Sequence, residues 1–251
     1  MLAATGIDGA SAALEGVPVS ARVDFDDVGA TYHEQLDARL TVLIGGEPSD
    51  YYLRVKVRET IAHARRVGIE PTQAAVLDVG CGTGRMVQLL HGQFGRVAGV
   101  EPSGGMIEGA HARGLGEGVF QQATAERLPY DDATFDVVYS ACVFHHVDRD
   151  AHIAMVQEMR RVLRPGGLLM TYEHNPWNPL TRFVVSRCPV DHGITLCRPG
   201  EIGAAYRAAG LGQLETRFIV FFPKLLSVLR RTESALHRFP LGAQYYVSGT
   251  R

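Results

Sequence analysis

Val76-Leu77-Asp78-Val79-Gly80-Cys81-Gly82-Thr83-Gly84 decides the reading of this 251-residue chain. An apolar, β-branched run reaches Asp78 and Val79 and then breaks into glycines at alternate positions. Val76 to Val79 predict a short buried strand. Gly80, Gly82 and Gly84 let the backbone turn sharply and approach a ligand closely, because glycine has no Cβ. Arg85-Met86-Val87-Gln88-Leu89-Leu90 then predicts a helix whose first N–H groups face the turn. A dinucleotide-binding turn would read G-x-G-x-x-G. The G-x-G-x-G spacing here, with Arg85 next, argues against a nicotinamide cofactor.

Further along, Arg96-Val97-Ala98-Gly99-Val100-Glu101 reads as a second strand ending in a carboxylate. An acid at that strand tip accepts ribose hydroxyls, so turn and acid together predict an adenosine-type ligand lying across strand ends. The rest of the chain keeps alternating. Val119 to Gln122 predict a third strand, and Phe135 to Cys142 a fourth that runs out into His145 and His146. A helix over Ala151 to Leu163 ends at Arg164-Pro165-Gly166-Gly167, and Leu168 to Glu173 form a fifth strand. Two later apolar runs, Leu214 to Phe222 and Ala243 to Ser248, predict a sixth and a seventh. Strands alternating with helical patterns mean an α/β fold, doubly wound, with a mostly parallel seven-stranded sheet.

Over roughly residues 70–170 these motifs, in this order, resemble the class I S-adenosylmethionine-dependent methyltransferases. The resemblance implies a Rossmann-like methyltransferase fold, with the sheet closing on an antiparallel sixth and seventh strand. It implies S-adenosyl-L-methionine as cofactor and S-adenosyl-L-homocysteine as product. Asp78, Gly80 and Gly82 would hold the amino-acid part of the cofactor, and Glu101 the ribose. Pro102 and Met106 would border the adenine. Thr124 stands where the family often has an Asp near the adenine amine, so Thr124 and the backbone at Ala125 would read that edge instead. Aromatic residues ahead of the first strand often close over the ligands, which makes Tyr32 a cofactor candidate and Tyr51 an acceptor candidate.

His145 and His146 lie at the exit of the fourth strand, and His174 just past the fifth. Each imidazole is placed to take a proton from an acceptor or to position it. Beyond the fifth strand the stretch 174–199 is dense in turn formers, and loops at strand C-termini build the ligand crevice. Glu173, Asn175, Trp177, Arg182 and His192 are therefore expected to touch the acceptor. Cys188, His192 and Cys197 are too loosely spaced for a zinc site, and no metal is expected from them. A basic amphipathic helix over Leu225 to Phe239 is expected to cap the acceptor side, so 174–199 and 223–242 read as insertions.

Composition sets the remaining bounds. A net charge of −2 gives no basic footprint for nucleic acid, and no apolar run is long enough to span a bilayer. Residues 1–22 read as a mobile tail without a secretory pattern, 23–68 as a helical lid, and 23–251 as one domain. The four cysteines form no disulfide framework, so a reduced, cytoplasmic protein is expected. The functional expectation is methyl transfer to an O or N atom of a small molecule, with no nucleic-acid partner and no membrane contact. The alternative is a cofactor-binding relative with cyclase or decarboxylase chemistry.

Overall fold

The apolar runs pair into a single seven-stranded sheet. The computed structural model describes residues 25–28, 49–116, 118–188, 191 and 194–251. Helix α1 is one turn, Phe25–Val28, and α2 is the long Ser49–Arg66. Then follow β1 (Ala75–Val79), α3 (Arg85–Leu90), β2 (Arg96–Glu101), α4 (Gly104–His111), β3 (Phe120–Gln122) and β4 (Phe135–Ala141). The second half has α5 (His152–Val162), β5 (Leu163–His174), α6 (Pro179–Val185), α7 (Pro199–Ala208), β6 (Gly212–Ile219), α8 (Glu233–Leu236) and β7 (Gln244–Thr250). Tyr32 and His192 lie outside the described residues.

Strand order is β3-β2-β1-β4-β5-β7-β6. From β1 the chain winds outward through β2 to β3, then crosses back to lay β4 on the other side of β1. That reversal opens a crevice at the carboxyl ends of β1 and β4, the place where doubly wound sheets bind ligands. The sheet is buried on both faces because successive side chains point to opposite sides. Leu77, Val138, Leu169 and Tyr245 pack with Val156, Met159 and Ile202 on the α5–α7 side. Their neighbours Val76, Val137, Met170 and Tyr246 pack with Val55 of α2, Leu90 of α3 and Ile107 of α4 on the other.

Three expectations are refined. β7 threads between β5 and β6 and runs antiparallel to both. The ladder of β5 starts already at Leu163, and Pro165-Gly166-Gly167 makes an irregularity inside it, with the β4–β5 register shifting between Phe135 and Val137. The segment after Pro223 is not an α-helix over Leu225 to Phe239. It winds as a 3₁₀ helix over Lys224–Thr232, broken at Leu226 (φ −106°, ψ 24°), before the single turn of α8. No residue of that 3₁₀ stretch is buried. Among the described residues no helix is long and apolar enough to cross a membrane.

α2 docks on β7 through His63. Its Nδ1 accepts from Arg66 Nη2 at 2.8 Å, and its Nε2 lies 3.4 Å from Ser248 Oγ, so the neutral ring carries its proton on Nε2. Burial, reinforced by the Arg66 charge, lowers its pKa from 6.5 to about 4. Between those values the unfolded chain takes up a proton that the native state refuses, so stability falls as pH drops from 6.5 toward 4. The loss expected from this group is on the order of 2–3 kcal/mol. Chemical denaturation across that range should show a shallower pH slope for His63→Gln than for the wild type. Equal slopes would refute the assignment.

Candidate active site

The glycine turn takes its shape from β2. Gly80 and Cys81 both donate to the Val100 carbonyl at 2.9 Å, and Gly82 donates to Glu101 Oε2 at 2.8 Å. The other carboxylate oxygen accepts from Ser103 N–H at 3.1 Å. A Cβ at Gly80 would lie 2.5 Å from Val143 Cγ2, and φ there is +79°, so the position demands glycine. Gly82, also at positive φ, has nothing within 4 Å of where its Cβ would be: the backbone is open toward a ligand. Arg113 secures the turn from outside, reaching the Thr83 carbonyl and, at 2.8 Å, Gln88 Oε1. Arg85 pairs with Asp50 and ties α3 to the start of α2. From the other side, Asp26 Oδ1 accepts from Ser103 Oγ at 2.7 Å and Gly105 N–H at 3.0 Å, which brings α1 onto the start of α4.

These elements enclose a cavity of about 600 Å³. Asp78 lies in its wall, 2% exposed. One oxygen accepts from Tyr139 Oη at 2.8 Å, while Oδ1 is buried with no hydrogen-bond partner among the described residues. Burial raises the Asp78 pKa to about 7 against the Tyr139 bond. Burial also raises Glu101, opposed by its two backbone donors.

The exits of β4 and β5 supply a second group of polar side chains to the same cavity. Glu173 is fully buried. It accepts Phe144 N–H at 2.9 Å and His145 Nδ1–H at 2.5 Å. His145 Nε2 and His146 Nε2 each stand 3.5 Å from Asp191 Oδ1. Cys142, at φ +60°, has its thiol 3.5 Å from Lys56 Nζ. Burial works against the Cys142 thiolate, but the charges of Lys56 and His174 bring its pKa down to about 7.

Of the expected site residues, Asp78, Gly80, Gly82, Glu101, Pro102, Met106, Thr124, Ala125, His145, His146 and His174 line this one cavity. Others do not. Asn175 is fully buried; its Nδ2 donates to the carbonyls of Pro240 and Gly242, and its Oδ1 accepts from Trp177 N–H. It pins the strand end to the β7 approach and has no free polar atom for an acceptor. Trp177, 53% exposed, packs on Phe218 outside the cavity. Arg182 is exposed on α6, away from the lining. Tyr51 is turned to the Arg230 guanidinium, 4.0 Å from its ring, and its neighbour Tyr52 lines the cavity instead. Glu173 works behind His145 and is not part of the lining. Lys56, Cys142 and Asp191 were not anticipated. No local motif marks them, because three separate elements bring them to the cavity.

The strand order, the crevice at β1 and β4, and the carboxylate bracing a glycine turn define a class I S-adenosylmethionine-dependent methyltransferase fold. Over residues 77–171 the chain matches the family described as Methyltransferase domain. It is 34% identical over 157 residues to the O-methyltransferase resE of Aspergillus sclerotiorum, covering 57% of this chain and 59% of that protein. It is 35% identical over 113 residues to the 27-O-demethylrifamycin SV methyltransferase of Amycolatopsis mediterranei, covering 42% and 41%. The chain thus spans about half the length of the curated relatives it matches. A solved structure of a SAM-dependent methyltransferase from Thermotoga maritima, described as a possible histamine N-methyltransferase, superposes with a TM-score of 0.62. It shares 21% identity and is covered to 97%, against 90% of this chain.

S-adenosylmethionine is the cofactor of this family, and the residues fit it. The buried, unpartnered Asp78 Oδ1 needs a donor of the kind an α-ammonium group supplies, and the open face of Gly82 leaves room for close approach. Cofactor affinity should therefore rise with pH as Asp78 ionises around 7. Calorimetric titration with S-adenosylhomocysteine from pH 6 to 8 should show up to about tenfold weakening per unit on the acid side. Asp78→Asn should bind more weakly and with a flatter profile. A wild-type profile as flat as the variant's would remove the carboxylate from the binding site.

Proposed function

We propose that the protein methylates a hydroxyl oxygen of a small, largely apolar acceptor. The observation that carries this reading is the sharing of one cavity by the Asp78–Gly82–Glu101 cradle and the imidazoles of His145, His146 and His174. Bound S-adenosylmethionine supplies a methyl group made electrophilic by its sulfonium. The chain must then align the acceptor and remove its proton. Alignment in a closed site is worth up to about 7–11 kcal/mol. A hydroxyl, unlike an amine, also needs a base, and three imidazoles beside the cavity are more than an amine acceptor requires.

His174 is the base in this reading. It sits at the end of β5 in the cavity wall, and burial, though it disfavours the charged ring, is outweighed by Cys142, which favours the protonated form. The remaining lining is apolar toward the insertion, with Leu180, Val184 and Val185 of α6 and Phe221 and Phe222 beyond β6. Such a wall favours an acceptor with a hydrophobic body and one reactive hydroxyl. Among the curated relatives that the chain matches, one is named an O-methyltransferase and another as acting on an O-demethyl compound, which supports an oxygen acceptor, while others are named C-methyltransferases.

The test is transfer of labelled methyl from S-adenosylmethionine to panels of hydrophobic phenols and alcohols, with matched amines alongside. Transfer to hydroxyls is expected. His174→Gln should lower kcat about 10²–10⁴-fold while leaving cofactor affinity unchanged. Methylation of the amines alone, or full activity in the variant, would overturn the reading.

A further inference from the structure

We propose that His145, His146 and Asp191 bind a divalent transition-metal ion at the wall of the acceptor cavity. One ligand atom of each residue lies within 4.8 Å of the other two. Both imidazole-to-carboxylate distances are 3.5 Å. That is long for a hydrogen bond to a carboxylate. It is close to the ligand-to-ligand edge of a four-coordinate site, about 3.4 Å for bonds of about 2.1 Å.

The surroundings point the same way. His145 Nε2 is fully buried with no hydrogen-bond partner among the described residues. Its Nδ1–H is held by Glu173 at 2.5 Å, which leaves Nε2 as the nitrogen that faces Asp191. A carboxylate behind a ligating imidazole is the common support of metal-binding histidines. Glu173 is itself anchored by Phe144 N–H, so the ring is held firmly before any ion arrives. Two carboxylates, Glu173 fully buried and Asp191 half-buried, flank this one ring, and a dication between neutral imidazoles balances both charges. Two imidazoles and one carboxylate are borderline donors suited to Zn²⁺, Fe²⁺ or Co²⁺ rather than Ca²⁺ or Mg²⁺.

All three residues line the cavity, so the open coordination position faces the acceptor. There the ion would hold the acceptor oxygen and weaken its O–H bond. The proton passes to His174, a C–O bond forms as the C–S bond breaks, and sulfur keeps the bonding pair. This role rests on the O-methylation reading; the binding of the ion does not.

The experiment uses tag-free protein stripped with a chelator and titrated with Co²⁺, followed by visible absorption, with zinc content measured on protein as purified. One equivalent with the ligand-field bands of a low-coordinate site is expected. Asp191→Asn and His146→Gln should each lose it, and Glu173→Gln should weaken it about 10–100-fold. S-adenosylhomocysteine binding to every variant certifies the fold. Absence of Co²⁺ binding in wild type that binds S-adenosylhomocysteine would overturn the site, as would unchanged binding in both ligand variants. Metal binding without transfer to any hydroxyl would retain the site and overturn the O-methylation reading; transfer by metal-free protein would retain that reading and overturn the ion's role in it.

Discussion

At the tip of β2 the Glu101 carboxylate accepts two backbone N–H groups, from Gly82 and from Ser103. The first belongs to the turn after β1, and the second to the residue whose hydroxyl caps α4 through Met106 N–H. One buried side chain thus joins the two loops that frame the cofactor half of the cavity. Charge-assisted bonds of this kind are roughly twice as strong as neutral ones, and leaving either N–H without a partner would carry its own desolvation cost. The neighbouring contacts follow from this brace. Gly80 can lie against Val143 only while the turn keeps its positive φ, and α1 reaches the site through Asp26, which uses the same Ser103.

The other half of the cavity is organised by a second buried carboxylate on the same plan. Glu173 holds the Phe144 backbone and the His145 ring at once, so the exit of β4 is positioned by the end of β5. The two strands pair in register up to Ala141 and Tyr172, and the polar contacts begin where that ladder stops. A parallel sheet that brings its strand ends together on one edge therefore positions both buried carboxylates at the cavity.

Much of this was legible locally. A buried strand followed by alternating glycines, and a strand ending in an acid, are patterns within a few residues, and Gly80, Gly82 and Glu101 all stand where those patterns put them. Asn175 and Trp177 were misread because a polar residue just past a strand looks the same whether it faces a ligand or a distant carbonyl. The carbonyls that satisfy Asn175, at Pro240 and Gly242, come from the far end of the chain. Cys142 gave no signal because a positive φ at a non-glycine residue is a product of the β4 exit, not of composition. Asp191 lies in the insertion after β5, and only the fold brings it to the histidines of the β4 exit. The segment after Pro223 read as amphipathic because its composition is, yet a break at Leu226 and 3₁₀ winding leave it with no buried face.

Charge gives the two halves of the cavity their complementary logic. Asp78, Glu101 and Glu173 are at most 8% exposed, and Asp191 stands beside the histidine pair. Burying a carboxylate is costly unless hydrogen bonds or cations compensate it. Glu101 and Glu173 are compensated by backbone donors and an imidazole, but Asp78 is satisfied on one oxygen only. The Lys56 ammonium, buried in the lining, is 3.5 Å from the Cys142 thiol. Carboxylates therefore face the cavity in two places, at Asp78 and at Asp191. A ligand bearing an ammonium and a sulfonium suits the first, and a dication suits the second. An anionic acceptor would meet the carboxylates of Asp78, Glu101 and Asp191 in this wall, so electrostatics and the apolar lining of α6 favour the same guest: a neutral, hydrophobic molecule that acquires negative charge only on the oxygen that reacts.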